Sequence, residues 1–124
     1  MSHGSIHWSE LCCGNVAEAK AFYESTCGWS MAEMPMPNGT YNVASLNGQP
    51  VAGIMDMAQI GDPNVAPHWM TYIAVDDIDA VCAGASGGGA TVLREPFDVP
   101  GVGRIAMIKD PGGAVVGMMT PAQG

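Results

Sequence analysis

The chain has 124 residues, which is enough for one domain with its own hydrophobic core. Its 12 acidic and 4 basic residues give a formal net charge of −8, which argues against nucleic acid and anionic membranes as partners. No apolar run approaches the roughly 20 residues of a transmembrane helix.

The cysteine pattern indicates a reducing compartment. Cys12 and Cys13 are adjacent, while Cys27 and Cys82 stand alone, so no C-x-x-C spacing occurs. The first residues also lack the basic and apolar regions of a signal peptide. We therefore expect a cytoplasmic protein with reduced thiols that pack in its core.

The first predicted elements are a strand over Ile6–Cys13 and a helix after it. Asn15 is an N-cap residue, and Glu18 three positions later completes a capping box. Gly28 predicts the end of the helix, because glycine readily takes the left-handed conformation of a C-cap. The helix is expected to bury one stripe of side chains, formed by Val16, Ala19, Phe22 or Tyr23, and Thr26.

Three strands are predicted after this helix, over residues 29–34, 40–46 and 50–57. The first is expected to end at Pro35, because proline interrupts strand pairing. Asn38-Gly39 and Asn47-Gly48 lie between the strands, and Asn-Gly accepts the positive φ angles of a tight hairpin turn. Both pairs are therefore predicted to be hairpin turns.

The second half of the chain repeats this order. Residues 58–67 carry two prolines and no periodicity, and they are expected to form a connector. The elements predicted after it are a strand over 68–75, a helix over 77–86 capped by Asp76 or Asp77, a strand over 91–99, a turn at Pro100-Gly101, a strand over 104–109 and a last strand ending at Thr120.

Each half is thus strand, helix and three strands, and the halves also share local sequence. Val51-Ala52-Gly53-Ile54-Met55 matches Val115-Val116-Gly117-Met118-Met119, and His7-Trp8 matches His68-Trp69. Shared spacing in both places indicates a duplication. We predict one α+β domain with two βαβββ modules, the first over residues 6–57 and the second over 68–120.

Motifs along nearly the whole chain carry a family resemblance. Ala21-Phe22-Tyr23 precedes Gly28-Trp29, and Val75-Asp76-Asp77-Ile78-Asp79-Ala80 opens the second helix. Gly103-Arg104 leads to Lys109-Asp110-Pro111-Gly112-Gly113. With the doubled module, these motifs resemble the vicinal oxygen chelate superfamily of glyoxalase I, bleomycin-resistance proteins and extradiol dioxygenases.

The resemblance implies curved mixed sheets that form a cleft, usually in a homodimer, with a divalent metal held by His, Gln or Glu. The metal-ligand positions of the family fall here on Trp8, Met70, Gly53 and Gly117, and a slip of one residue replaces Met70 by Trp69. None of these residues offers the nitrogen or oxygen donor that such a metal prefers. We therefore predict no metal and no other cofactor.

Strand alternation indicates which side chains line the implied cleft. If Trp8 faces it, Glu10 and Cys12 face it too, while Leu11 and Cys13 face the helix. The predicted ligand-binding residues of both halves are Trp8, Glu10, Cys12, Met55, His68, Met70, Tyr72 and Met119. An apolar lining with a few polar groups is typical of small-molecule sites.

Glu10 is the candidate catalytic residue. A carboxylate in mid-strand among apolar residues is either a cleft acid or base with a raised pKa or the ion-pair partner of Arg94 or Arg104. His68 follows Pro67 at a strand start, where a loop histidine and a metal ligand are the alternatives.

Three functions follow from these residues. The favoured one is metal-independent binding of a small molecule, as in bleomycin-resistance proteins. The second is a metal-dependent lyase, isomerase or dioxygenase with unusual ligands such as Glu10 and His68. The third is a metal-free enzyme that uses Glu10 as a general base. The expected partners are a small molecule and a second copy of the chain.

Overall fold

The computed structural model describes residues 3–36, 39–59, 65–99 and 102–122, which form eight strands and two α-helices of an α+β fold. Their contacts divide the chain into two compact units. The first unit is Trp8–Met70, and the second unit combines the residues up to His7 with those from Thr71 onward. Among the described residues, no helix has both the length and the apolar character of a membrane-crossing helix.

The first unit contains the elements predicted for the first module. They are β1 (Ile6–Cys13), α1 (Val16–Cys27), β2 (Ser30–Met36), β3 (Gly39–Leu46) and β4 (Gln49–Asp56). β1 runs parallel to β4, β4 pairs antiparallel with β3, and β3 pairs antiparallel with β2. The register places Glu10 beside Gly53, and Gly53 opposite Val43.

α1 begins and ends at the predicted residues. The Asn15 side chain accepts a hydrogen bond from the Glu18 backbone N–H at 3.0 Å, and Gly28 takes the left-handed conformation with φ 72°. Tyr23 packs toward the sheet, whereas Phe22 is exposed. Thr26 is exposed and donates to the Phe22 carbonyl, so its predicted place in the buried stripe is wrong. The core under α1 consists of Leu11, Cys13 and Ile54, with Val16, Ala19, Tyr23 and Met31 against them.

The hairpin predictions are confirmed where the structure describes them. Asn47 and Gly48 have φ angles of 52° and 79°, as a type I′ turn requires. Asn38 lies outside the described residues, and Gly39 is the first residue of β3, opposite Met36. β2 runs through Pro35 to Met36 instead of stopping there. An edge strand tolerates this because a proline N–H is not needed on its unpaired side.

The connector is described only in part. Residues Met57–Gln59 form a 3₁₀ turn, and residues 60–64 lie outside the described part. Trp69 belongs to the first unit, where its ring meets Tyr23 at 5.6 Å and Trp29 at 6.3 Å. Tyr23 and Trp29 are themselves stacked at 5.3 Å. Trp69 therefore lies on the α1 side, and Met70, the next residue of its strand, points to the opposite face.

The second unit repeats the arrangement of the first. Its elements are β5 (His68–Ala74), α2 (Ile78–Gly84), β6 (Thr91–Val99), β7 (Gly103–Lys109) and β8 (Val115–Pro121), except that the first three residues of β5 belong to the first unit. β5 runs parallel to β8, and β8–β7 and β7–β6 are antiparallel pairs. Tyr72 lies beside Gly117, as Glu10 lies beside Gly53 in the first unit. The predicted Pro100-Gly101 turn lies outside the described residues.

α2 is shorter than predicted. Of the two candidate caps, Asp77 is the N-cap and accepts from the backbone N–H groups of Asp79 and Ala80. The helix ends at Gly84, and residues Ser86–Gly88 form a separate 3₁₀ turn. The glycine-rich sequence after Gly84 explains the early end, because glycine stabilises a helix poorly.

Two features attach α2 to its sheet. Ile78 is 1 % exposed and packs with Val75 and Ala106. Arg104 on β7 donates to the Asp79 carboxylate at 2.8 and 3.0 Å and forms an ion pair with Asp98 of β6 at 3.2 Å. Its hydrogen bonds hold the pKa of Asp79 below its usual value.

The N-terminal segment pairs with residues far along the chain. The Gly4 N–H donates to the Ala74 carbonyl at 2.7 Å, and the Ala74 N–H donates to the Ser5 carbonyl at 2.9 Å. His3 Nδ1 accepts from the Asp76 N–H at 2.9 Å. These bonds make the start of the chain part of the second unit.

Candidate functional site

The face of β1 opposite α1 carries the polar side chain that the sequence singles out. Leu11 and Cys13 pack under the helix as predicted, so Glu10 and Cys12 point the other way. Both are buried there, with 6 % and 3 % of their surface exposed. A carboxylate is rarely this buried unless it makes specific interactions.

A hydrogen-bonded chain connects Glu10 to two aromatic side chains. Trp8 Nε1 donates to the Tyr41 hydroxyl oxygen at 2.9 Å, and Tyr41 is hydrogen bonded to the Glu10 carboxylate. Burial, followed by the negative charge of Glu10, raises the pKa of Tyr41 above its ordinary value. Tyr41 is therefore a neutral phenol at physiological pH, and its O–H is the donor toward Glu10.

Gly53 makes room for this chain. A Cβ atom at Gly53 would lie 1.6 Å from the Tyr41 hydroxyl oxygen and 3.0 Å from Trp8 Nε1. A side chain on Gly53 and the observed position of Tyr41 therefore exclude each other. The family resemblance assigns a metal-ligand position to Gly53, and here the Tyr41 hydroxyl lies where the side chain of such a ligand would start.

Tyr41 joins the predicted residues Trp8 and Glu10 in this hydrogen-bonded chain, but the sequence did not single it out. Its placement depends on the register between β3 and β4, which changes by one residue between Ala44 and Ser45. Such a bulge reverses which face a side chain takes. A signal was nevertheless present, because a glycine in a strand is often covered by an aromatic side chain from the neighbouring strand.

Cys12 lies on the same face as Glu10 but is not an activated thiol. Burial, then the charges of Glu10 and Cys13, raise the pKa of Cys12 to about 12. Reactive cysteines instead have depressed pKa values. Cys12 therefore contributes an uncharged, unreactive thiol to this face.

We expect iodoacetamide to label the exposed Cys27 and to leave Cys12 intact in the folded protein. Because the thiolate is the reacting form, a pH increase from 7 to 9 leaves Cys12 far below its pKa of about 12 and should not expose it to labelling. Peptide mass spectrometry measures the modification of each cysteine, and labelling in urea supplies the control in which all four react. Rapid modification of folded Cys12 at pH 7 would contradict this assignment.

The other predicted ligand-binding residues of the first unit have mixed surroundings. Met55 lies beside Cys12 in the β1–β4 ladder, and Met70 is buried. His68 is half-buried, with its Nδ1 2.7 Å from the Ala66 carbonyl oxygen. This contact to a neighbouring backbone carbonyl is compatible with the interpretation of His68 as a loop histidine.

In the second unit, Tyr72 covers a glycine as Tyr41 does in the first. A Cβ atom at Gly117 would lie 2.4 Å from Cδ1 of Tyr72, so the ring covers this glycine. Met119, two residues further along β8, is 2 % exposed. The two units thus cover equivalent glycines with tyrosines from different strands, β3 in one and β5 in the other.

The residues at the family metal positions do not fit a divalent cation. Trp8 uses its indole N–H as a donor to Tyr41, and Met70 offers a thioether. The space beside Gly53 and Gly117 is filled by tyrosines. Across residues 3–36, 39–59, 65–99 and 102–122, no three His, Cys, Asp or Glu side chains come together as a metal-binding group.

Comparison with solved structures shows the same fold in other proteins. Methylmalonyl-CoA epimerase from Mycobacterium tuberculosis matches with a TM-score of 0.68 and 19% identity, over 97% of this chain and 89% of that one. Hypothetical protein BH1468 from Bacillus halodurans matches with a TM-score of 0.73 and 10% identity, over 99% and 98%. At these identities the likeness establishes the fold alone.

The relatives found by sequence share more identity with this chain, but they are longer proteins. "Putative glyoxylase CFP32" of Mycobacterium tuberculosis is 41% identical over 117 residues, which cover 93% of this chain and 45% of that protein. The anthracycline biosynthesis protein DnrV of Streptomyces peucetius is 37% identical over 111 residues, 90% of this chain and 39% of that protein. The chain thus spans less than half the length of these relatives.

The family model of the Glyoxalase/Bleomycin resistance protein/Dioxygenase superfamily matches residues 5–118. This range begins just before β1 and ends within β8, so it covers nearly all of both copies of the strand–helix–three-strand unit. The fold, the repeated unit and this match agree, and the chain belongs to the glyoxalase/bleomycin resistance protein/dioxygenase superfamily.

Proposed function

We propose that the first unit binds a small molecule on the face that carries Trp8, Tyr41 and Glu10, and that it does so without a metal ion. The observation that carries this proposal is the buried Glu10 carboxylate, held by the Tyr41 hydroxyl, which itself accepts from Trp8. A carboxylate costs free energy to bury, and such groups concentrate at binding and catalytic sites.

The arrangement suits a ligand with a hydrogen-bond donor next to a flat apolar group. Carboxylate oxygens accept several hydrogen bonds, so a bond from Tyr41 is compatible with a further donor from a ligand. Trp8 supplies an aromatic surface, and Met55 on β4 supplies a side chain that adapts to ligand shape. The Cys12 thiol on the same face is neutral at physiological pH.

Two observations support the metal-independent form of this proposal. The first is steric, because Tyr41 fills the space beside Gly53, where a ligating side chain would begin. The second is chemical, because the indole of Trp8 and the thioether of Met70 are poor donors for magnesium, manganese, nickel or zinc.

One relative suggests a probe. DnrV is named as an anthracycline biosynthesis protein, and it is 37% identical to this chain over 111 residues. Daunorubicin, an anthracycline, combines a planar ring system with an amino sugar that is cationic at neutral pH. A planar cation matches an aromatic face with a buried carboxylate in a chain of net charge −8.

We expect daunorubicin to bind the wild-type protein saturably and Glu10→Gln to weaken binding by roughly tenfold or more, because a charge-assisted hydrogen bond is lost. Tyr41→Phe removes the bond to Glu10 and is expected to weaken binding less. Quenching of daunorubicin fluorescence measures the affinity, and far-UV circular dichroism checks that each variant stays folded. EDTA should leave the affinity unchanged.

Glu24→Gln is the matched control, because it removes the same charge from the exposed surface of α1. An equal loss in Glu24→Gln would show that overall charge attracts the probe, which contradicts the proposed site. Unchanged affinity in Glu10→Gln, absence of binding by the wild type, or loss of binding in EDTA would contradict it as well.

We also propose that the protein is a cytoplasmic homodimer. The pairing of chains follows from the family resemblance, and the compartment follows from cysteines without a disulfide pattern. The four cysteines are free in the structure, in agreement with the second point.

A further inference from the structure

β6 in the second unit has an irregular pairing that turns two side chains to one face. Its partners on β7 are Ile108 for Val92, Met107 for Arg94 and Ile105 for Phe97. The register shifts on both sides of Arg94. Residues three apart on a regular strand face opposite ways, but these bulges place Arg94 and Phe97 opposite Met107 and Ile105, which share a face.

The two side chains are in contact. The central guanidinium carbon of Arg94 lies 3.7 Å from the centre of the Phe97 ring. Stacking uses the face of the guanidinium and leaves its N–H donors pointing outward in the plane. The bulges therefore hold an arginine flat on an aromatic ring with its donors available.

Arg94 and Arg104, the two arginines of the chain, differ in their charged partners. Arg104 pairs with Asp79 and Asp98, at 2.8 and 3.2 Å. Arg94 makes no ion pair within the described part of the chain, although the chain has 12 acidic residues and 4 basic ones. An acidic protein offers many carboxylates that could pair with an arginine, but Arg94 is stacked on the Phe97 ring.

The neighbours on this face are apolar. Met107, opposite Arg94, is itself opposite Gly117 of β8, and the Tyr72 ring covers Gly117. Ile105, opposite Phe97, is buried. The face thus combines the stacked guanidinium of Arg94 with aromatic and aliphatic surface.

We propose that the Arg94–Phe97 pair is a binding site for a planar aromatic carboxylate. The guanidinium fork matches the two oxygens of a carboxylate, and the apolar neighbours accept the attached ring. The β-bulges serve to aim Arg94, as bulges next to functional sites commonly do. The site lies within the second unit and does not depend on binding at Glu10.

The test uses 2-naphthoate and its uncharged analogue 2-naphthamide with the whole chain. NMR follows the Arg94 Nε–H signal and the backbone amides of β6 and β7. We expect 2-naphthoate to shift these signals saturably and 2-naphthamide to bind far more weakly. Arg94→Met should weaken 2-naphthoate binding by about tenfold or more, and Arg94→Lys, which keeps the charge but lacks the fork, should lie between.

Lys109→Met is the matched control, because it removes one positive charge from an exposed position on the neighbouring strand. It should bind 2-naphthoate like the wild type. An equal loss in Lys109→Met, retained affinity in Arg94→Met, equal binding of 2-naphthamide, or no saturable shift in the wild type would overturn the proposal. Backbone amide spectra of each variant show in the same experiment that the fold is intact.

Discussion

Replacing Gly53 by alanine is expected to displace Tyr41 and to lower the free energy of unfolding by about 2–4 kcal/mol, from overpacking together with lost hydrogen bonds. The added Cβ atom would lie 1.6 Å from the Tyr41 hydroxyl oxygen, so the ring must leave its position. Trp8 and Glu10 then lose their bonds to Tyr41, although both stay on the same strand. Urea denaturation measures the change, and daunorubicin binding should fall with it.

Two further variants separate this cause from a general effect of alanine. Gly14→Ala is the control, because a Cβ atom there meets nothing within 4 Å. In Tyr41→Ala the severe clash is absent and only the 3.0 Å approach to Trp8 Nε1 remains, so adding Gly53→Ala should cost much less than it does in the wild type. A double-mutant cycle measures the difference. If Gly53→Ala is as stable as the wild type, or if the two substitutions simply add, Tyr41 does not depend on Gly53.

Gly103→Ala is expected to destabilise the second unit by about 3 kcal/mol or more, because backbone strain and a backbone clash add together. Gly103 has φ 145°, a conformation that L side chains rarely adopt, and its Cβ atom would lie 2.3 Å from the Thr120 carbonyl oxygen. Gly103 is paired with Pro121 in the β7–β8 ladder, so neither strand can move without breaking bonds. The midpoint of urea denaturation should fall at an unchanged slope.

Gly84→Ala provides the comparison for this variant. Gly84 closes α2, and a Cβ atom there meets open space, so alanine should be neutral or stabilise by about 0.5 kcal/mol through its helix propensity. Equal stability of Gly103→Ala and the wild type would show that β7 can start with ordinary backbone angles.

The sequence predicted the elements best where a side chain acts on its own backbone. Asn15, Gly28 and Asn47-Gly48 are local signals, and each marks the observed boundary. The predictions failed where contacts with other elements determine the end of a strand or the burial of a side chain. β2 continues through Pro35 because its outer edge is unpaired, and Thr26 is exposed because the helix turns Tyr23 inward instead.

The site was predictable to the same extent. Alternation along β1 separated Glu10 from Leu11, because one period decides which face each takes. The partners of Glu10 could not be obtained in this way. Tyr41 depends on the bulge at Ala44 and Ser45, and Arg94 on two bulges in β6, which are set by the pairing of whole strands. Residues without a chemical signature, such as Gly53, gain their role only from what lies against them.

The pairing of the N-terminal segment also has a consequence for synthesis on the ribosome. His3 and Gly4 bond to Asp76 and Ala74, some seventy positions later in the chain. His3 and Gly4 are therefore translated well before their partners and cannot pair until Ala74 and Asp76 have been made, by which point every residue of the first unit has been translated. The order of translation separates the two units in time, and the residues that precede the first unit complete the unit that is made later.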